Sequence, residues 1–192
     1  MRTRPLPSAG RSTPSLPLAV GDVVVYASHG IGRIESTHDA EGAEPAKVVF
    51  LLESGLRVTL PLAQARETLR SPAGERELED VQLTLRANIA PSVEPWARRR
   101  RFAQEKLTAG EIGGLAEIVR DGLLRERRLT TTSSKPIANE LFRQARRLLT
   151  AEIAECRGIE PEAADAWVLR QVAAEAPAEQ ISGVAGRIGG AR

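Results

Sequence analysis

The hydrophobic pattern of this chain changes its period once, near residue 72, and that change restricts the possible folds more than any other feature. Before it, apolar residues alternate, so that Val48, Phe50 and Leu52 share one face of a predicted strand. From Glu75 onwards they recur every three or four positions, as on a helix. With 192 residues, the chain is long enough for a core on each side of this boundary. The sequence therefore predicts an α+β protein with two consecutive domains, at residues 18–72 and 73–175.

The first domain is predicted to contain four or five short strands. Val20–Tyr26 is a β-branched run followed by a Gly-containing turn, Ile34 begins a return strand, and Leu56–Leu60 is a strand that Pro61 ends. So short a segment cannot form a large sandwich, but it can form a small, strongly bent barrel. We expect an SH3-like or Tudor-like barrel here.

The second domain is predicted to be a compact bundle of four or five short helices. Gly110 and Gly158 lie where helices should end, and Pro136 and Pro161 lie where helices should begin. The apolar positions with helical spacing are predicted to form the core: Leu78, Val81, Leu85, Ile112, Leu115, Ala116, Val119, Leu123, Ile137, Leu141, Ala145, Leu148, Leu149, Ala164, Trp167, Val168 and Val172.

The two ends of the chain are predicted to be tails. Residues 1–17 are rich in Pro, Ser and Arg and have little to bury, which is typical of a disordered segment. Residues 176–192 are rich in Gly and Ala, and we expect them to be flexible.

The composition argues against catalysis, metal binding and membrane insertion. The single cysteine, Cys156, excludes a disulfide framework and a cysteine-based zinc site, and it favours a reducing compartment, the cytoplasm. The two histidines, His29 and His38, have no nearby Ser or Cys that would suggest a catalytic triad. The sequence contains no run of about 18 apolar residues, so no membrane span is predicted. We therefore expect neither an enzyme nor a cofactor or metal site.

The net charge of +2 conceals an uneven distribution along the chain. Residues 93–150 hold thirteen basic and seven acidic residues, a net charge of +6, and the flanking segments are acidic. Such a basic segment is typical of a surface that binds a polyanion, although a solvated helical surface gives the same pattern.

Within the basic segment, four consecutive arginines, Arg98 to Arg101, follow Trp96. Pro95 fits the first turn of a helix, with Ser92 or Glu94 as the cap. Arginines near a helix N-terminus oppose the helix dipole, so helix stability does not explain them.

Two interpretations of this segment remain open at the level of sequence. Trp96 can act as an apolar wedge against nucleic-acid bases, with the arginines on the phosphates. Alternatively, Trp96 packs as a hydrophobic staple on Phe102 or Leu107, and the arginines are merely solvated.

The order of the motifs resembles the CarD/CdnL family of bacterial transcription regulators. The motifs that carry the resemblance are Val20-Gly-Asp-x-Val-Val-Tyr26, Gly30-x-Gly32, Leu56-Arg-Val-Thr-Leu-Pro61, Trp96-x-Arg-Arg99, Glu105-Lys-Leu-Thr-Ala-Gly110, Ala116-Glu-Ile-Val-Arg-Asp121 and Ala145-Arg-Arg-Leu-Leu149. Two positions depart from the family pattern: Arg100 stands where a tyrosine is usual, and Thr59 stands where the side chain is often longer.

The resemblance implies a monomeric, nucleoid-associated regulator that stabilises the open promoter complex. Its Tudor-like domain would bind the β subunit of RNA polymerase through the exposed edge of the strand that carries Arg57, Thr59 and Pro61. Its helical domain would contact promoter DNA at the upstream edge of the bubble. There Trp96 would wedge into the minor groove, and the backbone contacts would come from Arg98, Arg99 and Arg101.

Two alternatives are kept. The chain can be a Tudor-like protein-interaction module, or a divergent paralogue, that binds polymerase without contacting DNA.

Overall fold

The computed structural model describes residues 18–42, 44–87, 89, 94–130 and 140–174, without the side chains of residues 128–130. Both predicted tails lie outside these ranges, as do Ser92, Pro136 and Ile137. Within them, a curled antiparallel sheet is followed by a helical region, which confirms the predicted α+β class.

The first domain is a five-stranded antiparallel sheet in the order β4-β3-β2-β1-β5. Its buried residues include Val24, Ile34, Phe50 and Leu60, which come from four different strands. The described residues show no pairing between the two edge strands, so the sheet is an open half-barrel. The strands are β1 (Val23–Tyr26), β2 (Gly30–His38), β3 (Lys47–Leu52), β4 (Arg57–Pro61) and β5 (Leu69–Arg70).

Two details of this domain differ from the sequence prediction. Strand β2 begins at Gly30 rather than at Ile34, because a single 3₁₀ turn, Ala27–His29, is enough to reverse the chain. A seven-residue helix, α1 (Leu62–Thr68), lies between β4 and β5 and was not predicted. Only Ala65 of this helix is buried, so it has no apolar stripe to reveal it.

The described part of the second domain contains five helices, within the predicted range. Of the predicted core positions that are described, all are buried except Leu141, Leu148 and Trp167, which are partly buried against the same core. The guanidinium of Arg157 covers the Trp167 ring at 4.3 Å from its centre. The helices are α2 (Glu75–Arg86), α3 (Trp96–Ala109), α4 (Ile112–Thr130), α5 (Glu140–Arg157) and α6 (Pro161–Ala173).

Helix α3 carries both the run of four arginines and the core residue Leu107. Gly110 ends it in the left-handed conformation (φ +67°), as expected for a C-terminal glycine. At the other end, the predicted cap is wrong: Pro95 itself takes the N-cap position, and no side chain caps the helix.

The half-barrel packs directly on α3 and α5 through the turn that follows β1. A Cβ added to Gly110 would lie 2.6 Å from the Cα of Ala27, so only glycine allows this approach. Gln144 Nε2 donates a hydrogen bond to the Ser28 carbonyl oxygen (3.1 Å). The two domains are therefore in close backbone contact, although their cores are separate.

Candidate functional site

The first candidate surface is the open edge of β4. At the two ends of this strand, Leu52 N–H donates to the Leu56 carbonyl oxygen (2.9 Å), and Leu62 N–H donates to the Ala46 carbonyl oxygen (2.7 Å). Hydrogen bonds in an antiparallel ladder fall on every second residue. The residues of β4 that bond to β3 between these ends are therefore Val58 and Leu60, which lie opposite Phe50 and Val48.

The sequence-predicted polymerase contacts belong to the alternate set. Arg57 and Thr59 direct their N–H and carbonyl groups away from β3, towards the edge that no described strand pairs. Pro61 has no N–H, so it offers only its carbonyl there. All three residues are exposed, and the structure thus gathers them on one strand edge.

Arg57 is held by a partner that the sequence analysis missed. Its Nε and Nη2 atoms donate to the two carboxylate oxygens of Glu35, at 2.6 and 3.2 Å. This bidentate hydrogen bond and the charge of the opposite partner lower the pKa of the Glu35 carboxyl and raise the pKa of Arg57. Glu35 lies on β2, where the pairing register with β3 shifts between Ile34 and Ser36. Sequence spacing alone does not reveal such a bulge.

The second candidate surface is the N-terminal part of α3. Trp96 is the first residue of this helix and is 56% exposed. Phe102 is 51% exposed, and Leu107 is fully buried in the helical core. The interpretation of Trp96 as a buried staple is therefore wrong, and the indole is open to solvent.

Local acceptors hold the arginines that follow Trp96. Arg98 pairs with the Glu94 carboxylate (3.1 Å), and Arg99 Nη1 donates to the Glu94 carbonyl oxygen (2.6 Å). Arg101 pairs with Glu105 at 2.9 Å. Exposed ion pairs of this kind contribute about 0–1 kcal/mol each, so a phosphate group can replace the carboxylate at little cost.

The two candidate surfaces do not come together. The C-terminal end of α3 lies against the half-barrel, whereas Trp96 is at the opposite end of a 14-residue helix. At 1.5 Å per residue, the two ends are about 20 Å apart. The predicted polymerase contacts and the predicted DNA contacts are thus separate surfaces of one molecule.

A third basic group lies on α5, where Arg143, Arg146 and Arg147 line an open cleft of about 620 Å³. Arg146 makes two hydrogen bonds of 2.6 Å to Asp165, which raise its pKa, and Arg143 pairs with Glu140 at 2.6 Å. Arg147 is exposed, but three carboxylates, Glu126, Glu162 and Asp165, line the same cleft and offset its positive charge.

The histidines are used locally. The His29 ring stacks on Tyr26 with centroids 4.8 Å apart, and His38 Nε2 lies 3.0 Å from Ser36 Oγ. No cluster of three or more His, Cys, Asp or Glu in the described residues has a geometry that could hold a metal ion. No helix among the described residues is long and apolar enough to cross a membrane.

Comparison with known proteins identifies both domains. The family model of the CarD-like/TRCF RID domain matches residues 18–72, and that of the CarD C-terminal domain matches residues 80–169. Together these matches cover more than half of the chain. The chain belongs to the CarD-like family. It is 25% identical over 146 residues to the Bacillus subtilis (strain 168) protein named "Putative transcription factor YdeB". This match covers 73% of this chain and 92% of the other protein.

CarD-like proteins are a family of transcription regulators rather than of enzymes, and their RID domain interacts with RNA polymerase. Membership gives this chain a transcription-related, polymerase-interacting role.

Proposed function

We propose that this CarD-like protein binds the β subunit of RNA polymerase through β4 and stabilises the open promoter complex through the N-terminal part of α3. The observation that carries the proposal is the exposure of Trp96, 56%, at the free end of a helix with four consecutive arginines. Tryptophan and arginine are both enriched where proteins contact their partners, so an exposed indole next to four arginines supports a binding surface here.

The polymerase contact is a β-augmentation. A strand of the β subunit pairs with the edge of β4, where Arg57 and Thr59 direct their backbone groups outwards. The main-chain hydrogen bonds supply affinity, and side chains on the outer face, Arg57 among them, supply specificity.

The DNA contact combines a wedge with phosphate binding. Trp96 fills the space between partly unstacked bases at the upstream edge of the bubble. Arg98, Arg99 and Arg101 exchange their carboxylate or carbonyl partners for phosphate oxygens on either side of it. The wedge acts only on distorted DNA, so it slows collapse of the bubble and adds little affinity for closed duplex.

The decisive experiment is the lifetime of the open complex with Trp96→Ala. Stacking of an aromatic side chain on a base contributes about 1–3 kcal/mol, so the variant should shorten the lifetime by roughly five-fold to a hundred-fold. Phe102→Ala is the matched control, because Phe102 is an equally exposed aromatic about 240° further around the same helix. The proposal fails if both variants behave like the wild type.

A second candidate is a regulator that binds polymerase without contacting DNA. It is favoured by the local partners of the arginine run, since Glu94 and Glu105 already hold Arg98, Arg99 and Arg101. This candidate predicts normal polymerase binding and an open-complex lifetime that does not respond to Trp96→Ala.

A further inference from the structure

The contact between the two domains centres on Arg70 of β5. Its Nη1 and Nη2 atoms donate to the two carboxylate oxygens of Glu152 on α5, at 2.5 and 2.9 Å. Its Nε and Nη2 atoms also donate to the carbonyl oxygen of Gly110, at 3.2 and 2.7 Å. One guanidinium therefore connects the last strand of the half-barrel to the end of α3 and to the middle of α5.

Glu152 is a fully buried carboxylate, only 1% exposed, in a stretch of α5 whose other buried residues are apolar except Thr150. It also accepts a hydrogen bond from the Ala73 N–H (2.9 Å), in the segment between the domains. The Arg70 side chain is 33% exposed, so only the carboxylate of the pair is buried. Such a pair is seldom more stabilising than well-packed apolar residues, but the buried carboxylate requires its partners in one geometry. Such a pair between two domains holds them in one relative orientation.

The orientation of helix α3 determines the position of Trp96. Its C-terminal end is fixed by the hydrogen bonds from Arg70 to Gly110 and by the close approach of Gly110 to Ala27. Trp96 is at the other end, about 20 Å away. A tilt of about 10° at the fixed end moves the indole by about 3–4 Å, which is the spacing of neighbouring base pairs, about 3.4 Å.

We infer that Arg70 and Glu152 are positioning residues that determine which base step Trp96 meets when the half-barrel is bound to polymerase. The inference rests on the proposed function for its consequence, but its physical basis is a fixed orientation of α3 relative to the half-barrel. Neither residue touches DNA or polymerase in this account. They act by fixing the angle between α3 and the half-barrel.

The orientation is measured directly by the distance between two spin labels, without polymerase or DNA. The labels are placed at two exposed positions, Thr37→Cys on β2 and Ala97→Cys on α3, in a Cys156→Ser background. The parent protein should give one narrow distance.

Glu152→Gln and Arg70→Lys should each broaden the distance distribution or add a second distance. Glu44→Gln breaks an exposed ion pair with Lys47 and is the matched control, which should keep the narrow distance. Thermal unfolding is followed for every variant, and distances are recorded where each is fully folded. A distance that stays narrow in both Arg70→Lys and Glu152→Gln overturns the inference, because a merely structural pair lowers stability without reorienting folded domains.

The functional consequence is tested with the unlabelled variants. Arg70→Lys should leave polymerase affinity unchanged and shorten the open-complex lifetime towards that of Trp96→Ala. A cross-linking amino acid in place of Trp96 should then react with several neighbouring base steps instead of one. A broadened distance with an unchanged lifetime and an unchanged cross-link overturns the positioning role. If the wild type itself does not prolong the open complex, the proposed function fails, and the distance measurement still decides whether the pair fixes the orientation.

Discussion

The guanidinium carbon of Arg100 lies 5.4 Å from the centre of the Trp96 ring, one helical turn along α3. A cation over an indole at an exposed site contributes about 0.5–1 kcal/mol. The contact restrains the indole at the helix surface without burying it. In this chain an arginine thus takes the position beside Trp96 that the resemblance assigns to a tyrosine, and it adds positive charge close to the indole.

Trp96→Ala is expected to leave the fold almost intact. The indole is more than half exposed, so the loss in unfolding free energy should stay within about 1 kcal/mol, against about 3–5 kcal/mol for a buried Trp or Phe. Thermal and urea unfolding measure this directly. A loss in the larger range, with function falling in step with the unfolded fraction, would contradict the exposed position and the wedge together.

Replacing Arg98 and Arg99 together by Ala should flatten the salt dependence of DNA binding. Each phosphate contact contributes a slope of about −0.9 in log K against log salt, so two lost contacts change it by at most about 1.8. The matched control is Arg66→Ala with Arg76→Ala, which removes two exposed charges from α1 and α2. If the Arg98 and Arg99 variant keeps its slope while Arg143→Ala with Arg147→Ala loses it, the footprint lies on α5.

Thr59→Pro should weaken binding to the polymerase β subunit by about ten-fold or more. The substitution removes an N–H that points to the open edge and no hydrogen bond to β3, so β4 itself should remain paired. One lost main-chain hydrogen bond contributes about 0.5–1.5 kcal/mol, and the proline ring also obstructs the incoming strand.

Thr59→Val is the control for that variant, since it keeps the N–H and changes only the side chain. Affinity is measured by titration of the full-length protein against polymerase. Equal affinity of the two variants would show that polymerase does not extend the sheet at this edge.

Arg57→Ala should raise the pKa of the Glu35 carboxyl, because both effects of Arg57 lower it and the remaining desolvation raises it. Arg57 lowers that pKa, so the ion pair is fully formed above about pH 4.5 and is lost as the pH falls through the lower, folded value. Both side chains face solvent, so the change should appear in the titration and hardly in stability. The measurement is an NMR titration of the side-chain carboxyl chemical shifts between pH 2 and 7. The same pKa for Glu35 in the wild type and in Arg57→Ala would mean that the pair does not form in solution.

Periodicity was sufficient to predict the helical core. Positions such as Leu78, Val119 and Val168 repeat with the helical period, and burial of one face of a helix follows from that repeat. The alternation of Val48, Phe50 and Leu52 likewise predicted the inner face of β3.

The ion pairs that the sequence analysis missed join residues that are distant in sequence. Arg70 and Glu152 are 82 positions apart, and neither carries a local signal that names the other. Glu35 meets Arg57 across an intervening strand, next to a register shift. For Trp96, the staple and the wedge share one sequence pattern, and only the exposure of the indole in the folded protein argues against the staple.

The approach of Gly110 to Ala27 has a consequence for how such a chain can be recombined. The family model that matches the half-barrel is shared between CarD-like proteins and TRCF, so this type of domain is found in more than one kind of protein. In this chain the helical domain supplies Gly110, so a half-barrel taken from another protein would have to bring the backbone of its residue 27 to the same place and carry an arginine at position 70. We expect a graft without this contact to fold as two domains with no fixed relative orientation. The helical domain would then also lose its orientation relative to the surface that the half-barrel binds.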